Sequence, residues 1–198
     1  MSKPPNRLTL HRRIEACEAY SEPLRGIAFR SVAMAHANES DIISGTGAAR
    51  FGGRWNPRGV RAIYASLDPI TAAEESYQRF ANYGISSSRI KPRAFVGLRL
   101  ELCKTLSLTD ARIRRKLGFS LRDLVNENWL SIQESGNEAW TQTVGRCCHD
   151  LGMEAMICPS AASRNGSNIV IFPTNLKPTS AITILKKEDL PQHPKGNA

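Results

Sequence analysis

The sequence predicts a single mixed α+β domain, and three observations support this prediction. The chain has 198 residues, of which 41% are hydrophobic and 23% charged, a composition typical of one globular domain. Hydrophobic periodicity indicates about six or seven strands and three or four helices. The strand-like segments towards the C-terminus follow one another at hairpin-like spacing, which favours an α+β arrangement over a doubly wound parallel sheet.

The first third of the chain alternates between regular and irregular patterns. Residues 8–20 are predicted to be helical, and residues 26–34 read as a first strand because apolar side chains recur there with few helix signals. Residues 35–57 contain four glycines and little apolar periodicity. They are predicted to form a long loop, and long loops inside compact domains are usually functional.

The next elements carry clearer signals. Residues 60–66 read as a strand covered on both faces, and Asp68 followed by Pro69 predicts the start of a helix that continues to about residue 81. Further helices are predicted at 109–117 and 138–151, the second ending before Gly152. Further strands are predicted at 94–100 with an extension over 102–108, and at 154–158, 168–172 and 181–185.

The ends of the chain differ from the middle. Residues 1–24 are predicted to be a partly helical N-terminal extension, residues 25–190 the domain itself, and residues 191–198 a flexible tail rich in proline and glycine. No internal repeat, low-complexity tract or central linker indicates a second domain.

Charge and cysteine content narrow the classes of function. The 27 basic and 18 acidic residues give a net charge of +9, which favours an anionic partner such as nucleic acid, a phosphorylated small molecule or an acidic protein. No apolar run approaches the roughly 20 residues of a membrane span, and the polar N-terminus has no apolar signal segment behind it. None of the five cysteines forms a Cys-x-x-Cys pair, so we expect reduced, mostly buried thiols in a cytoplasmic protein without a bound metal.

Residues 49–75 form the most informative stretch. Gly52 and Gly53 let the backbone approach a ligand closely, and they are followed by the guanidinium of Arg54 and the indole of Trp55. This arrangement is suited to gripping an anion. The alternative is that the arginines of this stretch are solvated surface residues. The neighbouring glycine pair weakens that alternative for Arg54, but not for Arg50, Arg58 or Arg61.

The neighbouring side chains add chemistry of other kinds. Tyr64 lies on a predicted strand and offers a flat amphipathic surface, although most strand tyrosines serve packing. Glu74 and Glu75 lie on the helix that follows, where a carboxylate either complements the helix dipole or stabilises a developing cation. Ser160 follows a predicted strand, but no Gly-x-Ser-x-Gly surrounds it, which argues against a nucleophilic triad.

Several common sites are missing from the sequence. No Gly-x-Gly-x-x-Gly opens a helix and no Gly-Lys-Ser/Thr ends a phosphate loop, which argues against Rossmann and P-loop proteins. The four histidines do not have metal-ligand spacing. The basic segment at 112–116 reads as a solvated helix face.

The order of these motifs resembles the RES domain, the toxin component of Xre/RES type II toxin–antitoxin modules. The resemblance runs from about residue 25 to residue 172. It is carried by the following residues in order: Phe29-Arg30, Gly52-Gly53-Arg54-Trp55-Asn56 with Gly59, Tyr64-Ala65-Ser66, Glu75, Pro159-Ser160, and Asn168 before an Ile-Val-Ile-Phe strand.

The resemblance implies a split β-sheet cleft related to that of ADP-ribosyltransferases, with NAD as substrate. By position, Arg30 and Arg54 match the arginines of the NAD site, Tyr64 its aromatic residue, Glu75 its glutamate and Ser160 its serine, with Asn168 beside them. The family helix usually carries one glutamate and often a following histidine. Here the segment is Glu74-Glu75-Ser76-Tyr77-Gln78, with two glutamates. The spacing from Tyr64 favours Glu75 as the family glutamate without excluding Glu74.

The implied activity is cleavage of the N-glycosidic bond of NAD, with inorganic phosphate or water as acceptor. The implied partner is an Xre-type antitoxin in a hetero-oligomer that contacts DNA only through that antitoxin. Two alternatives stay open at this point: a protein ADP-ribosyltransferase using the same cleft, and a non-enzymatic module that binds nucleic acid through its basic surface.

Overall fold

The computed structural model describes residues 6–82 and 91–191, and within these ranges it contains six strands and eight α-helices. The strands are β1 (Glu22–Ala33), β2 (Ile63–Ser66), β3 (Arg93–Ser107), β4 (Ala155–Pro159), β5 (Ser167–Ile171) and β6 (Ala181–Ile184). The helices are α1 (Arg7–Glu15), α2 (Glu39–Ser44), α3 (Thr46–Phe51), α4 (Pro69–Asn82), α5 (Ala111–Leu117), α6 (Leu121–Asn126), α7 (Trp129–Glu134) and α8 (Trp140–Asp150).

The strands form one sheet that is split into two halves. The order is β1-β2-β5-β4-β3-β6, and β1 also pairs with β3 along almost its whole length. All pairings are antiparallel except β3 with β4. The halves β1-β3-β6 and β2-β5-β4 join through three residue pairs between β3 and β4, and through the single pair Phe29–Ser66 between β1 and β2. We call the junction at Phe29–Ser66 the seam.

Two buried clusters occupy opposite faces of the β2-β5-β4 half. Because side chains alternate along a strand, Ile63 and Ala65 face one cluster while their neighbours Ala62 and Tyr64 contact the other. The first cluster lies between the two halves of the sheet and includes Ala28, Val32, Ile63, Ala65, Val96, Leu98, Leu100, Leu102, Ala155, Ile169, Ile171 and Ile184. The second lies under the helices and includes Leu10, Ile14, Ile113, Leu117, Leu124, Val144, Cys147, Cys148, Met156, Cys158, Val170 and Phe172.

The predicted α+β fold with a split sheet is confirmed, and so are most of its elements. Every predicted strand is present, and the strand predicted over 94–100 continues through 107 as a single β3. Helix α4 begins at Pro69 as predicted. The Asp68 carboxylate accepts a hydrogen bond from the Thr71 backbone N–H at 2.8 Å, as a helix N-cap does.

The prediction of a continuous loop over 35–57 was wrong, because α2 and α3 lie inside it. The predicted number of helices was also too low, since α6 and α7 follow α5 closely. Each of these four helices has six residues, which is too short for apolar periodicity to appear. Their ends are set by caps instead, such as the reciprocal capping box of Ser120 and Asp123.

The predicted N-terminal extension contributes to the core. Its helix α1 buries Leu10 and Ile14 completely. Strand β1 begins at Glu22, which lies before the start predicted for the first strand and inside the predicted extension. The tail predicted at 191–198 lies outside the described residues from position 192 onwards. No helix in the described ranges is long and apolar enough to cross a membrane.

Candidate active site

The Glu75 carboxylate is held by two hydrogen bonds on one oxygen. Its Oε1 accepts from Ser160 Oγ and from Asn168 Nδ2, both at 2.6 Å. Its Oε2 accepts no hydrogen bond from residues 6–82 or 91–191, and it is not among the buried polar atoms that lack a partner. Glu75 is half-buried whereas Glu74 is exposed, so the geometry distinguishes the two glutamates.

The sheet register explains how both donors reach Glu75. Asn168 on β5 pairs with Ser66 on β2 and with Cys158 on β4, and Ser160 follows β4 directly. Ser66 Oγ donates to Asn168 Oδ1 at 2.7 Å, which leaves the amide nitrogen to face Glu75. Ser160 Oγ accepts from the backbone N–H groups of Ala162 and Ser163, at 3.1 and 2.8 Å.

The Ser160 hydroxyl has a partner within the protein. A hydroxyl has one hydrogen to donate, and here that hydrogen goes to Glu75. Ser160 thus positions the Glu75 carboxylate, and its predicted contact with a ligand stays a prediction.

The loop that carries Arg54 is closed by Asn56 and Tyr64. Asn56 is fully buried, and its Nδ2 donates to the carbonyls of Ala48 and Val60 at 2.9 Å each. The Tyr64 hydroxyl donates to Asn56 Oδ1 at 2.7 Å and accepts from the Trp55 backbone N–H at 2.9 Å. A Cβ atom on Gly53 would lie only 2.5 Å from that hydroxyl, so glycine is required for the loop to approach β2.

Arg54 is half-buried and turned towards the protein. Its Nη1 donates to the carbonyls of Glu127 at 3.0 Å and Leu124 at 3.4 Å, at the C-terminal end of α6. Its Nε and Nη2 make no hydrogen bond to the residues that the structure describes. Burial lowers the pKa of Arg54, and the nearby Glu127 and then Glu75 act against this shift. The guanidinium nevertheless stays charged at neutral pH.

Arg30 lies at the seam and contacts the backbone of Tyr64. It follows Phe29, the β1 residue that pairs with Ser66, and its Nη1 donates to the Tyr64 carbonyl at 2.7 Å. Arg30 therefore adds a contact between β1 and β2 beyond their single residue pair. In contrast, Arg50, Arg58 and Arg61 are exposed, in agreement with the solvated alternative for these three.

The six predicted site residues thus lie around the seam and the neighbouring ends of β5 and β4. Glu75, Ser160 and Asn168 share one hydrogen-bond network. Arg54 is close enough to Glu75 and Tyr64 for both to raise its pKa against the effect of burial, and Arg30 contacts Tyr64. Their roles towards a ligand stay a prediction.

Sequence reasoning missed three supporting residues. Ser66 orients Asn168, Asn56 closes the arginine loop, and Glu127 supplies a carbonyl to Arg54. Asn56 and Ser66 lie within the motifs that the sequence singled out, so a polar residue inside those motifs was the available signal. Glu127 lies in a segment without any motif.

The fold and the site together define a class of protein: an α+β domain whose split sheet brings a guanidinium and an anchored carboxylate to one seam. Residues 27–193 match the family model of the RES domain. The chain belongs to the RES domain family, which confirms the resemblance seen in its motifs.

Two comparisons with individual proteins agree with this assignment. The NAD(+) phosphorylase MbcT of Mycobacterium tuberculosis and that of Mycobacterium bovis are each 30% identical to this chain over 124 residues. The alignment spans 61% of this chain and 62% of either mycobacterial protein. The crystal structure of the M. tuberculosis MbcT–MbcA toxin–antitoxin complex matches with a TM-score of 0.67 at 23% identity, over 91% of this chain and 93% of that one, which shows a shared fold.

Proposed function

We propose that this protein cleaves the N-glycosidic bond of NAD and releases nicotinamide. The observation that carries the proposal is the pairing of two groups: the anchored carboxylate of Glu75 and the nearby guanidinium of Arg54. Within the described residues, one oxygen of the carboxylate and two nitrogens of the guanidinium make no hydrogen bond. Membership of the RES family and similarity to a mycobacterial NAD(+) phosphorylase support the same substrate.

The residue types suit the two ends of NAD. A guanidinium holds a pyrophosphate through paired hydrogen bonds, which we assign to Nε and Nη2 of Arg54, with Arg30 supplying a second positive charge. With the pyrophosphate held there, the nicotinamide riboside end lies between Tyr64 and Glu75. Fixing the substrate in this way lowers the entropic part of the barrier.

The chemical step needs charge stabilisation more than proton transfer. In NAD the nicotinamide ring is a pyridinium cation. It leaves with the electron pair of the glycosidic bond and becomes neutral, so no general acid has to protonate it. Positive charge then develops on the ribose, and Oε2 of Glu75 stabilises it while accepting a hydrogen bond from a ribose hydroxyl. Ser160 and Asn168 keep the carboxylate in place during this step.

An acceptor oxygen completes the reaction at the anomeric carbon. With inorganic phosphate the product is ADP-ribose 1″-phosphate, and with water it is ADP-ribose. The name of the mycobacterial relatives, NAD(+) phosphorylase, favours phosphate.

We further propose that the protein is the toxin of a toxin–antitoxin pair and acts in the cytoplasm. The solved structure that it resembles is a toxin–antitoxin complex. An Xre-type antitoxin with an acidic segment suits a chain of net charge +9, and DNA contact would then pass through the antitoxin.

The test is NAD consumption by the purified protein, with and without phosphate, followed by mass spectrometry of the products. Glu75→Gln should lower the rate by about a thousandfold, the upper range for loss of one preorganised electrostatic group. Glu74→Gln is the matched control, because this neighbouring carboxylate is exposed, and it should keep the rate of the unmodified protein. Unchanged NAD after stoichiometric incubation without antitoxin would contradict the proposal.

The same experiment separates the two alternatives. With NAD labelled in the adenosine part, a protein ADP-ribosyltransferase leaves label on a protein band, whereas phosphorolysis and hydrolysis leave it on small molecules. A nucleic-acid-binding module leaves NAD intact and binds DNA or RNA with an affinity that falls steeply as salt increases.

A further inference from the structure

Glu127 caps α8, a helix that begins 13 residues further along the chain. It is 8% exposed, and its Oε1 accepts from the Trp140 backbone N–H at 2.9 Å. Its Oε2 accepts from the Thr141 backbone N–H at 2.9 Å and from Thr141 Oγ1 at 2.5 Å. Ala139, which precedes α8, provides no side-chain cap, so the Glu127 carboxylate satisfies the first N–H groups of α8 in its place.

The same residue contacts Arg54 through its backbone. The Glu127 carbonyl and the Leu124 carbonyl both accept from Nη1 of Arg54, and no other nitrogen of this guanidinium is used by the described parts of the chain. A planar guanidinium that is anchored at one nitrogen presents its other edge in a defined direction. Here the anchored edge faces the end of α6, and the edge with Nη2 and Nε is left for a ligand.

The charge of Glu127 also acts on Arg54. Burial is the main influence on the pKa of Arg54 and lowers it, and Glu127 is the largest of the charges that oppose this effect, ahead of Glu75. A half-buried cation is costly without a compensating negative charge. Glu127 provides that charge without occupying the nitrogens that we assign to substrate.

Helix α8 and the arginine loop form one packed unit. Gln142 Nε2 donates to the Gly53 carbonyl at 3.1 Å, and a Cβ atom on Gly145 would overlap the Trp55 carbonyl. Because the side chain of Glu127 is fixed to α8, its carbonyl is fixed relative to this loop.

We propose that Glu127 is a positioning residue that sets the direction of the Arg54 guanidinium towards the pyrophosphate of NAD. It does so through its carbonyl, which its own capped side chain holds in place. This inference rests on the proposed function for the identity of the anion, and it adds a residue from a segment without a recognisable motif.

The first test is steady-state kinetics of Glu127→Gln. An amide can accept from one N–H group of α8 but presents a donor to the other, so it loosens the residue and removes its charge. Since Arg54 grips the pyrophosphate equally in the ground state and the transition state, KM for NAD should rise on the order of tenfold with kcat changed by less than about threefold. An unchanged KM would overturn the inference.

A matched control separates positioning from helix stability. Thr141→Val removes the hydroxyl that donates to Glu127 Oε2 but keeps the two backbone N–H groups that hold the carboxylate, so it lowers the stability of α8 and leaves the Glu127 carbonyl in place. It should lower the melting temperature and leave KM for NAD unchanged. If it raises KM as much as Glu127→Gln does, the effect follows the stability of the cap and the inference fails.

A double-mutant cycle tests the route through Arg54. In an Arg54→Ala background, Glu127→Gln should cause no further rise in KM, because the group that it positions is gone. A further tenfold rise there would mean that Glu127 acts independently of Arg54 and would overturn the inference.

Binding of inorganic pyrophosphate, measured by calorimetry, keeps this inference separate from the proposed activity. A dissociation constant about tenfold larger in Glu127→Gln than in the unmodified protein supports the positioning role, whether or not NAD is cleaved. Equal dissociation constants would overturn the positioning role and leave the proposed activity to its own test.

Discussion

At the scale of single residues, the two donors on Glu75 Oε1 divide the carboxylate into an anchored oxygen and an available one. Hydrogen bonds to an ionised group contribute more than those between neutral groups, so Ser160 and Asn168 hold Glu75 firmly. The Ser66 hydroxyl acts on Glu75 only indirectly, because it donates to the side-chain oxygen of Asn168 and so orients the Asn168 amide.

This hierarchy predicts graded effects of substitution. Asn168→Ala removes a donor to a carboxylate and should lower kcat/KM for NAD by about ten- to a hundredfold, from about 1.5–3 kcal/mol per charged hydrogen bond. Ser66→Ala removes only the hydrogen bond that orients the Asn168 amide, so it should lower kcat/KM for NAD by less than about tenfold. Initial rates on the two folded variants test this, and equal losses would contradict the ranking.

Glycine at position 53 is required by the close approach of its loop to β2. In Gly53→Ala the added methyl group would meet the Tyr64 hydroxyl at 2.5 Å and Asn56 Oδ1 at 2.8 Å. Overpacking of this kind costs about 1–3 kcal/mol, and we expect a lower melting temperature together with reduced NAD cleavage. Gly47→Ala is the control, since nothing lies within 4 Å of the added methyl group and α3 gains up to about 1 kcal/mol of helix propensity. A melting temperature of Gly53→Ala equal to that of Gly47→Ala would contradict this account.

At the scale of elements, the helices α6, α7 and α8 all contact the arginine loop. Gln133 on α7 donates to the Phe51 carbonyl at 3.0 Å, and Gln142 on α8 donates to Gln133 and to the Gly53 carbonyl. The end of α6 provides the carbonyls that meet Arg54. These three helices therefore determine where the guanidinium lies.

Helix α4, which carries Glu75, depends on its N-cap. The hydrogen bonds of Thr71 to the Asp68 carboxylate lower the pKa of Asp68 below its usual value. Asp68→Ala should cost about 1 kcal/mol, which for a chain of this size is about 2–4 °C in melting temperature.

The pH dependence of this cap has a defined sign. Because the pKa of Asp68 is lower in the folded state than in the unfolded state, its charged form stabilises the fold above about pH 4, and this contribution is lost as the pH falls through the lowered value. Urea unfolding at pH 7 and pH 3 should show the difference between the unmodified protein and Asp68→Ala shrinking at the lower pH. Asp68→Asn keeps a cap without a charge, so between pH 7 and pH 3 its free energy of unfolding should lose no contribution from residue 68. An equal difference at both pH values would mean that the carboxylate charge is not its source.

At the scale of the whole molecule, burial divides the five cysteines into two groups. Cys103 is exposed, whereas the other four are buried. Burial raises the pKa of Cys147 to about 11 and shifts those of Cys17, Cys148 and Cys158 upwards as well. The thiolate is the reactive form, so the buried thiols are inert in the folded protein.

This division predicts one reactive thiol per native chain. At pH 8 a disulfide reagent such as dithiobis(nitrobenzoate) should titrate one equivalent, and Cys103→Ser should reduce that to none. In denaturant the unmodified protein should titrate five equivalents. More than one fast equivalent under native conditions would show that a buried thiol becomes exposed.

The parts of the site that lie in local sequence motifs were predictable from sequence. The glycine pair before Arg54, the strand with Tyr64 and the helix opened by Asp68 and Pro69 each carry a local signal, and the structure contains each of these elements. The four six-residue helices were not predicted, because fewer than two turns show no periodicity and their caps resemble ordinary turns.

The sequence by itself determined the α+β class, the order of the strands along the chain and the family, because apolar spacing, caps and motifs are local properties. Only the tertiary structure decided between Glu74 and Glu75 as the residue hydrogen-bonded to Ser160 and Asn168, directed the hydrogen of Ser160 to that carboxylate, and brought Glu127 to Arg54. These are contacts between residues tens of positions apart. They follow from which strands become neighbours and from which buried polar groups must find partners, and no local pattern encodes either.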